Sequence, residues 1–346
     1  MKKLNIGIVG AGRMADRHAE AYQKIEGVNL IGFVGHVDIQ KAEGLASKYH
    51  AEWFESVQKL LARKNLDAVD ICTPTLTHTE ICIECLEAGK HVLVEKPLAS
   101  SLKDCDLIIS KAIKVGSILM VGHVSRFFPS HIEAKRVINM GEIGDPIMAL
   151  DFFITPGGLP GKAGMPSWVK YRTLGGGNFM DNGIHCVDRL RWWLNSDIES
   201  VYTVGMKNLI KDGDMDTHGM AVLKFKNGTF ATIAGVCPST GAYENSTKII
   251  GTKAALYIQL GKEVTVVTDT RKEVPFPFSV SKTEMYPSYS HNIAGFESEL
   301  REFVGSIREH RVPSVTGYDG RAAVEGVLAI YKSFETGRPI VLPLQE

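Results

Sequence analysis

Two sets of residues in this 346-residue chain have types and spacing suited to proton chemistry. The first is Glu95-Lys96-Pro97, which closes the stretch His91-Val92-Leu93-Val94. Consecutive aliphatic residues, mostly β-branched, predict a strand buried on both faces of a parallel sheet. Ligands of open α/β sheets bind in the crevice beyond the carboxyl ends of the strands. Lys96 would then bring an ammonium group to a cofactor or substrate; the plainer alternative is a surface Glu-Lys pair ending a strand. The second set is Asp181 with His185, four residues apart after the turn Gly175-Gly176-Gly177. That spacing puts both on one face of a helix, either as an acid/base set or as an exposed ion pair. An imidazole, with an ordinary pKa of about 6.5, exchanges protons near neutral pH.

The elements that must position these groups begin at the N-terminus. Leu4 to Val9 reads as a short apolar strand, followed by Gly10-Ala11-Gly12-Arg13-Met14-Ala15 and a helix reaching Lys24. This is a G-x-G-x-x-A fingerprint with a strand before it and a helix after it, the setting that dinucleotide binding requires. The first glycine makes the tight turn, the second lets the backbone approach a pyrophosphate, and Ala15 lets helix pack on strand. The N–H groups that open the helix, at Arg13 and Met14, would face the phosphates. Helices over 40–49, 56–62, 77–88 and 101–115 then alternate with strands over 29–34, 68–72, 91–95 and 118–121. Alternation of this kind over about 120 residues predicts a doubly wound parallel sheet. Thr73-Pro74 and Glu95-Lys96-Pro97 would end strands on the rim that carries the glycine turn.

Cofactor choice turns on the end of the 29–34 strand. An acid there would bind the adenosine ribose hydroxyls and favour NAD. The chain has Gly35-His36-Val37 instead, and Asp38 only after them. Without a carboxylate the place would not repel a 2′-phosphate. Gly35 would open space, His36 can donate to a phosphate oxygen, and Lys41 would add charge if turned inward. NADP, or use of both cofactors, is the expectation; the alternative is that Asp38 reaches the ribose of NAD.

The glycine fingerprint, Thr73-Pro74 with His78, Glu95-Lys96-Pro97, and Gly122-His123-Val124-Ser125-Arg126-Phe127 resemble the Gfo/Idh/MocA oxidoreductases, the family of glucose–fructose oxidoreductase and inositol dehydrogenase. The resemblance continues through a GGG-x-x-x-D-x-x-x-H segment, matched at Gly175, Gly176, Gly177, Asp181 and His185, and into 296–303 and 329–334. It therefore covers essentially the whole chain. It implies a cofactor site of Gly10, Gly12, Arg13, Met14, Gly35, His36, Thr73, Pro74, His78, Glu95, Lys96, Pro97 and Arg126. It also implies that Lys96, Asp181 and His185 surround the reacting carbon. His185 would then be the acid/base, Lys96 would polarise the reacting oxygen, and Asp181 would orient His185 or a substrate hydroxyl, with no metal. The implied activity is NAD(P)-dependent oxidoreduction of a secondary hydroxyl or ketone in a sugar, inositol or related polyol. Family relatives that are NAD-dependent glycosidases, and a yeast galactose-pathway repressor with this fold, supply two alternatives: a redox-assisted glycosidase and a non-catalytic sensor.

The expected fold class is α/β: an N-terminal doubly wound Rossmann domain over 1–122, and a C-terminal α+β domain over 123–346 with a large, mostly antiparallel sheet. Strands are expected at 146–154, 199–210, 218–226, 229–237, 246–251, 254–260 and 263–268, and helices at 130–140, 293–309 and 317–336. The irregular stretch 155–174 is expected to face substrate, with Trp168, Tyr171 and Asn182 as contacts. Alternating apolar residues such as Val222, Leu223, Phe225, Phe230 and Ile233 would leave one sheet face in need of a partner. A homodimer or homotetramer follows.

With 39 basic and 39 acidic residues, the charge balance favours neither nucleic acid nor an anionic membrane. The N-terminus lacks the apolar region of a signal peptide. Cys82 and Cys85 are spaced C-x-x-C without a second pair to complete a zinc site. They are expected as reduced core residues of a cytoplasmic protein.

Overall fold

Six apolar runs in the first third of the chain become one sheet: β1 (Leu4–Val9), β2 (Val28–Val34), β3 (Glu52–Phe54), β4 (Ala68–Ile71), β5 (His91–Glu95) and β6 (Leu119–Gly122). They lie in the order β3-β2-β1-β4-β5-β6, and every pairing is parallel. The order reverses between β1 and β4, the switch point where such sheets open a crevice. The helices between them are α1 (Arg13–Tyr22), α2 (Ile39–Lys48), α3 (Val57–Leu61), α4 (His78–Glu87) and α5 (Leu102–Val115). The starts of α2, α3 and α5 are set by capping side chains: Asp38, Ser56 and Ser101 accept from the backbone N–H groups of Lys41, Lys59 and Asp104. The computed structural model describes residues 3–345 apart from 36–37, 156–166, 175, 208, 210–212, 238–242, 261–263, 269–272 and 277–292.

The second sheet is built from β7 (Pro146–Ile154), β8 (Ile198–Lys207), β9 (His218–Phe225), β10 (Phe230–Val236), β11 (Glu244–Gly251), β12 (Ala254–Gln259), β13 (Val264–Thr268), β14 (Glu273–Phe276) and β15 (Ile340–Val341). The order is β14-β13-β12-β11-β7-β10-β9-β8-β15. All its pairings are antiparallel except β7 with β10. Alternation sorts the side chains by face. Ala221, Leu223, Phe225, Ala231, Ile233, Phe153 and Ile249 are buried, while Tyr202, Val222, Met220, Phe230 and Tyr257 remain exposed. The helices α6 (Pro129–Asn139), α7 (Ile184–Leu194), α8 (Ile293–Glu309) and α9 (Gly317–Thr336) complete the chain. Strands β3, β14 and β15 were not expected; at four residues or fewer they are too short to show a period.

The packing gives residues 1–127 and 288–321 to one compact unit, and 128–287 and 322–346 to another. This differs from an uninterrupted second unit over 123–346. The reason is the apolar face of α8: Phe296, Leu300, Phe303 and Ile307 are buried, and Phe296 packs on His18 of α1 with ring centroids 5.4 Å apart. Arg301 and Arg308 donate to the carbonyls of Lys24 and Glu26 just beyond α1. A helix far along the chain thus returns to cover the one that follows the glycine turn.

Candidate active site

The glycine turn is shaped by how closely two strand ends approach. Gly10 has φ +120°, and a Cβ there would lie 2.5 Å from the carbonyl oxygen of Cys72, so only glycine fits between the ends of β1 and β4. At Gly12, by contrast, a Cβ would meet nothing within 4 Å, and no side chain caps the start of α1. The N–H groups of Arg13 and Met14 open α1 beside that space, as an anion cradle requires.

At the neighbouring rim, His78 is buried and braces two strand ends. Its Nδ1 is 2.8 Å from the carbonyl oxygen of Pro97, and its Nε2 is 2.9 Å from that of Thr73. Burial holds its pKa below the ordinary imidazole value, though both carbonyls pull the other way. The ring thus lies between Thr73 and Pro97, and in its neutral form donates to one of the two carbonyls. Lys96 is half-buried and precedes a cis peptide to Pro97. Its backbone N–H donates to Glu95 Oε2 at 3.1 Å.

Behind Glu95 lies a charged array that sequence reasoning missed. His18 of α1, fully buried, places Nε2 3.2 Å from Glu95 Oε1 and Nδ1 2.8 Å from Asp70 Oδ2. Burial opposes a charge on His18, but Asp70 carries its pKa well above the ordinary value. Burial likewise raises Glu95, and His18 together with Lys96 more than reverses this, leaving it lowered. An imidazolium between two carboxylates results. Glu299 of α8 stands near them; burial first raises it well above the ordinary value, His18 opposes this, and the other two acids add to the rise. His18, Asp70 and Cys72 place ligand atoms within 4.8 Å of one another. However, burial pushes the Cys72 thiol far up, and it is the thiolate that binds metal. His18 stands in the run His18-Ala19-Glu20-Ala21-Tyr22, which carries no chemical motif of its own.

In the second unit, Asp181 lies in a π-helical turn, Phe179–Gly183, that runs directly into α7 with His185. Such turns recur at functional sites because they re-aim side chains within a helix. His185 is buried and Asp181 half-buried. Arg189, one turn after His185 and on the same face, makes a fully buried bidentate ion pair with Asp151 of β7. It also donates to Asn245 Oδ1 at 3.2 Å. Paired charges of this kind orient more than they stabilise; here they fix α7 against the inner face of the sheet. Phe179 packs edge-on against Phe153 of β7, holding the other end of the segment.

Several expected residues have different surroundings from those foreseen. Arg126 is buried and spends its guanidinium on Asp319 Oδ1 at 3.0 Å and the Ser314 carbonyl at 3.3 Å. A Cβ at Gly35 would lie 2.6 Å from the Cβ of Ala42 and 3.3 Å from that of Ala11; the glycine lets α2 approach and does not open a phosphate pocket. Lys41 pairs with Asp38 at 2.5 Å and points its charge there. Asp38 itself caps α2. Asn182 donates to Asn178 Oδ1 at 3.1 Å, and Tyr171 is exposed. His36, Gly175 and the side chain of Trp168 lie outside the described residues, as does most of 155–174.

Residues 4–123 match the model of an oxidoreductase family with an NAD-binding Rossmann fold, and 131–257 match the GFO/IDH/MocA C-terminal domain. The chain is 28% identical over 345 residues to a myo-inositol 2-dehydrogenase of Thermotoga maritima, covering 98% of both. It is 30% identical over 319 residues to a 4-carboxy-2-hydroxymuconate-6-semialdehyde dehydrogenase of Sphingobium sp., covering 90% of this chain and 92% of that one. Among solved structures, scyllo-inositol dehydrogenase from Lactobacillus casei with bound NAD(H) and scyllo-inositol superposes with a TM-score of 0.82 at 26% identity, covering 98% of this chain and 99% of that one. With both domain models matched in order along one chain, the protein belongs to the Gfo/Idh/MocA oxidoreductase family.

Proposed function

We propose that the protein transfers a hydride between a nicotinamide cofactor and a ring hydroxyl or ketone of an inositol or closely related polyol. The observation that carries this reading is the presence of Lys96, Asp181 and His185 in a chain that matches an inositol dehydrogenase over 98% of its length. Oxidoreduction of CH–OH groups is the activity of its named relatives, and these favour neither a glycosidase nor a sensor. When bound, nicotinamide supplies the hydride acceptor or donor. The start of α1 and the open space at Gly12 hold its pyrophosphate. Lys96 donates a hydrogen bond to the reacting oxygen and lowers the cost of its developing charge. His185 takes the hydroxyl proton during oxidation and returns it during reduction, which requires approach to about 2.6–3.2 Å. Asp181, one turn before it, orients the imidazole or a neighbouring hydroxyl.

NAD is the cofactor we favour, with NADP as a second substrate of the same site. Two supports for NADP have gone, since Gly35 faces Ala42 and Lys41 is neutralised by Asp38. Myo-inositol, scyllo-inositol and simple sugars assayed with each cofactor, following reduced nicotinamide by absorbance, test the reading. Turnover of a cyclitol is expected, and failure of every cyclitol and sugar with both cofactors would overturn it.

The outer face of the second sheet supports association with a second copy. Tyr202, Val222, Thr232 and Leu150 sit side by side across β8, β9, β10 and β7, and Tyr202 and Val222 are exposed. A row of this kind on an exposed sheet face, apolar but for Thr232, fits an interface. Light scattering should give at least twice the chain mass of 37.9 kDa; a monomer would refute the assembly. The six cysteines are all buried with none in a disulfide, which fits a reducing, cytoplasmic setting. Among the described residues no helix is long and apolar enough to cross a membrane.

A further inference from the structure

The backbone that begins the Asp181–His185 segment is held from outside by two side chains with no other evident task. Asp216, in the link between β8 and β9, is almost fully buried. Its Oδ1 accepts from the N–H of Asn178 at 3.1 Å, and its Oδ2 from the N–H of Phe179 at 2.9 Å. The hydroxyl of Tyr331, on α9, donates to the same Oδ1 at 2.9 Å and accepts from the N–H of Met180 at 3.2 Å. Three successive N–H groups at the opening of the helix, which have no partner within it, are thereby satisfied. Asp181 is the next residue, and its own N–H bonds to the carbonyl of Gly177 at 2.9 Å.

The glycine before this turn is an independent mark of the same clamp. Gly177 has φ +101°, and a Cβ there would lie 2.5 Å from Asp216 Oδ1 and 2.6 Å from the Tyr331 hydroxyl. Any larger residue would drive the acid and the phenol away from the N–H groups they hold. Arg172 stacks over the Tyr331 ring, with its guanidinium carbon 3.9 Å from the ring centroid, and pairs with Glu335 at 2.9 Å. The neighbouring Asp214 accepts from the N–H of Arg172 at 2.6 Å. The link at 214–216 therefore fastens both the end of the 155–174 stretch and the start of the acid/base segment.

We propose that Asp216 and Tyr331 are positioning residues for the reaction: together they form an anionic clamp that fixes where the helix bearing Asp181 and His185 begins, and so where both side chains point. The proposal rests on the reading of those two residues as the acid/base set. Neither Asp216 nor Tyr331 needs to touch substrate. Asp216→Asn keeps the size but turns an NH₂ toward the N–H of Phe179, breaking the clamp at one oxygen. Tyr331→Phe removes only the hydroxyl.

The test uses the full-length protein with its best cyclitol substrate. It compares Asp216→Asn, Tyr331→Phe, their combination, and His185→Ala. Misplacement of a reacting group by about an ångström lowers turnover on the order of 10²-fold, which is the effect expected on kcat in Asp216→Asn. Losing the hydroxyl's two hydrogen bonds in Tyr331→Phe should lower kcat by about tenfold. The Kd for NAD, measured by fluorescence titration, should stay unchanged, because the clamp holds the acid/base segment and not the glycine turn. The double variant should be no worse than Asp216→Asn, since both changes break one array. Wild-type kcat in Asp216→Asn or in Tyr331→Phe, beside an inactive His185→Ala, would overturn the clamp while sparing the acid/base reading. Wild-type kcat in His185→Ala would overturn that reading and the clamp's purpose with it. If Asp216→Asn does not fold, Tyr331→Phe decides the question by the same split between kcat and Kd.

Discussion

In the first unit, Glu95 holds the peptide N–H of Lys96 while an imidazolium, His18, lies against its other oxygen. In the second, Asp216 holds two peptide N–H groups and a phenol, and those donors are all neutral. Both carboxylates are buried, and burial raises both. The outcomes differ: Glu95 ends below its ordinary value, whereas Asp216 is pushed up to about 6. Neutral donors offset only part of the desolvation that a full positive charge can overcome. The rim that carries Lys96 is thus held by opposite charges, and the clamp before Asp181 titrates within reach of neutral pH.

The largest effect that can break this comparison is loss of the reacting groups themselves. Lys96→Ala and His185→Ala should each lower kcat by roughly 10²–10⁴-fold, the usual contribution of positioned proton-transfer groups, while NAD still binds. Near-wild-type turnover in either one would remove the functional meaning from the unit that carries it.

The next effect concerns stability against pH, where the two acids predict opposite slopes. Glu95, lowered in the folded state, contributes stability at neutral pH that is lost as pH falls through its folded value. Asp216 is raised from 3.8 to about 6, so between those values the folded chain keeps a proton that the unfolded chain releases. Its contribution is present below 3.8 and is lost as pH rises to about 6, a change of about 3 kcal/mol. Denaturant unfolding of wild type and Asp216→Asn should therefore diverge between these values, with the wild type losing the advantage as pH rises. Parallel curves would show that Asp216 does not titrate there. Glu95→Gln should lose most relative to wild type near neutral pH, with the gap closing in acid.

The smallest effect lies at the cofactor turn. Asp38→Ala removes the cap of α2 and should cost about 1 kcal/mol in thermal or denaturant unfolding. It also releases Lys41, so kcat/KM should shift from NAD towards NADP. An unchanged ratio would mean that neither residue reaches the ribose.

Much of this was legible in the chain. The helices at 293–309 and 317–336 coincide with α8 and α9, and the strand at 146–154 with β7, because long periodic segments declare themselves. Gly10 and Gly12 stand out because a strand-to-helix turn limits which residues can occupy it, and Lys96, Asp181 and His185 stand out through the family resemblance. His18, Asp70, Asp216 and Tyr331 do not. Each is a polar residue in an otherwise apolar or loop setting, and its purpose depends on partners 37 to 151 positions away. No local period encodes such pairings. Gly35 shows the same limit from the other side, since its neighbour in space is Ala42 of α2, and no local pattern places that residue against it.

That contact has a consequence for engineering. A designer wishing to install a ribose-binding acid at Gly35 would find the position sterically closed by Ala42. The exchange has to be made in tandem, Gly35→Asp together with Ala42→Gly, accepting about 1 kcal/mol of lost helix propensity in α2. Any side chain placed at Gly35 is therefore coupled to the residue at 42, and libraries that vary the turn should vary Ala42 with it.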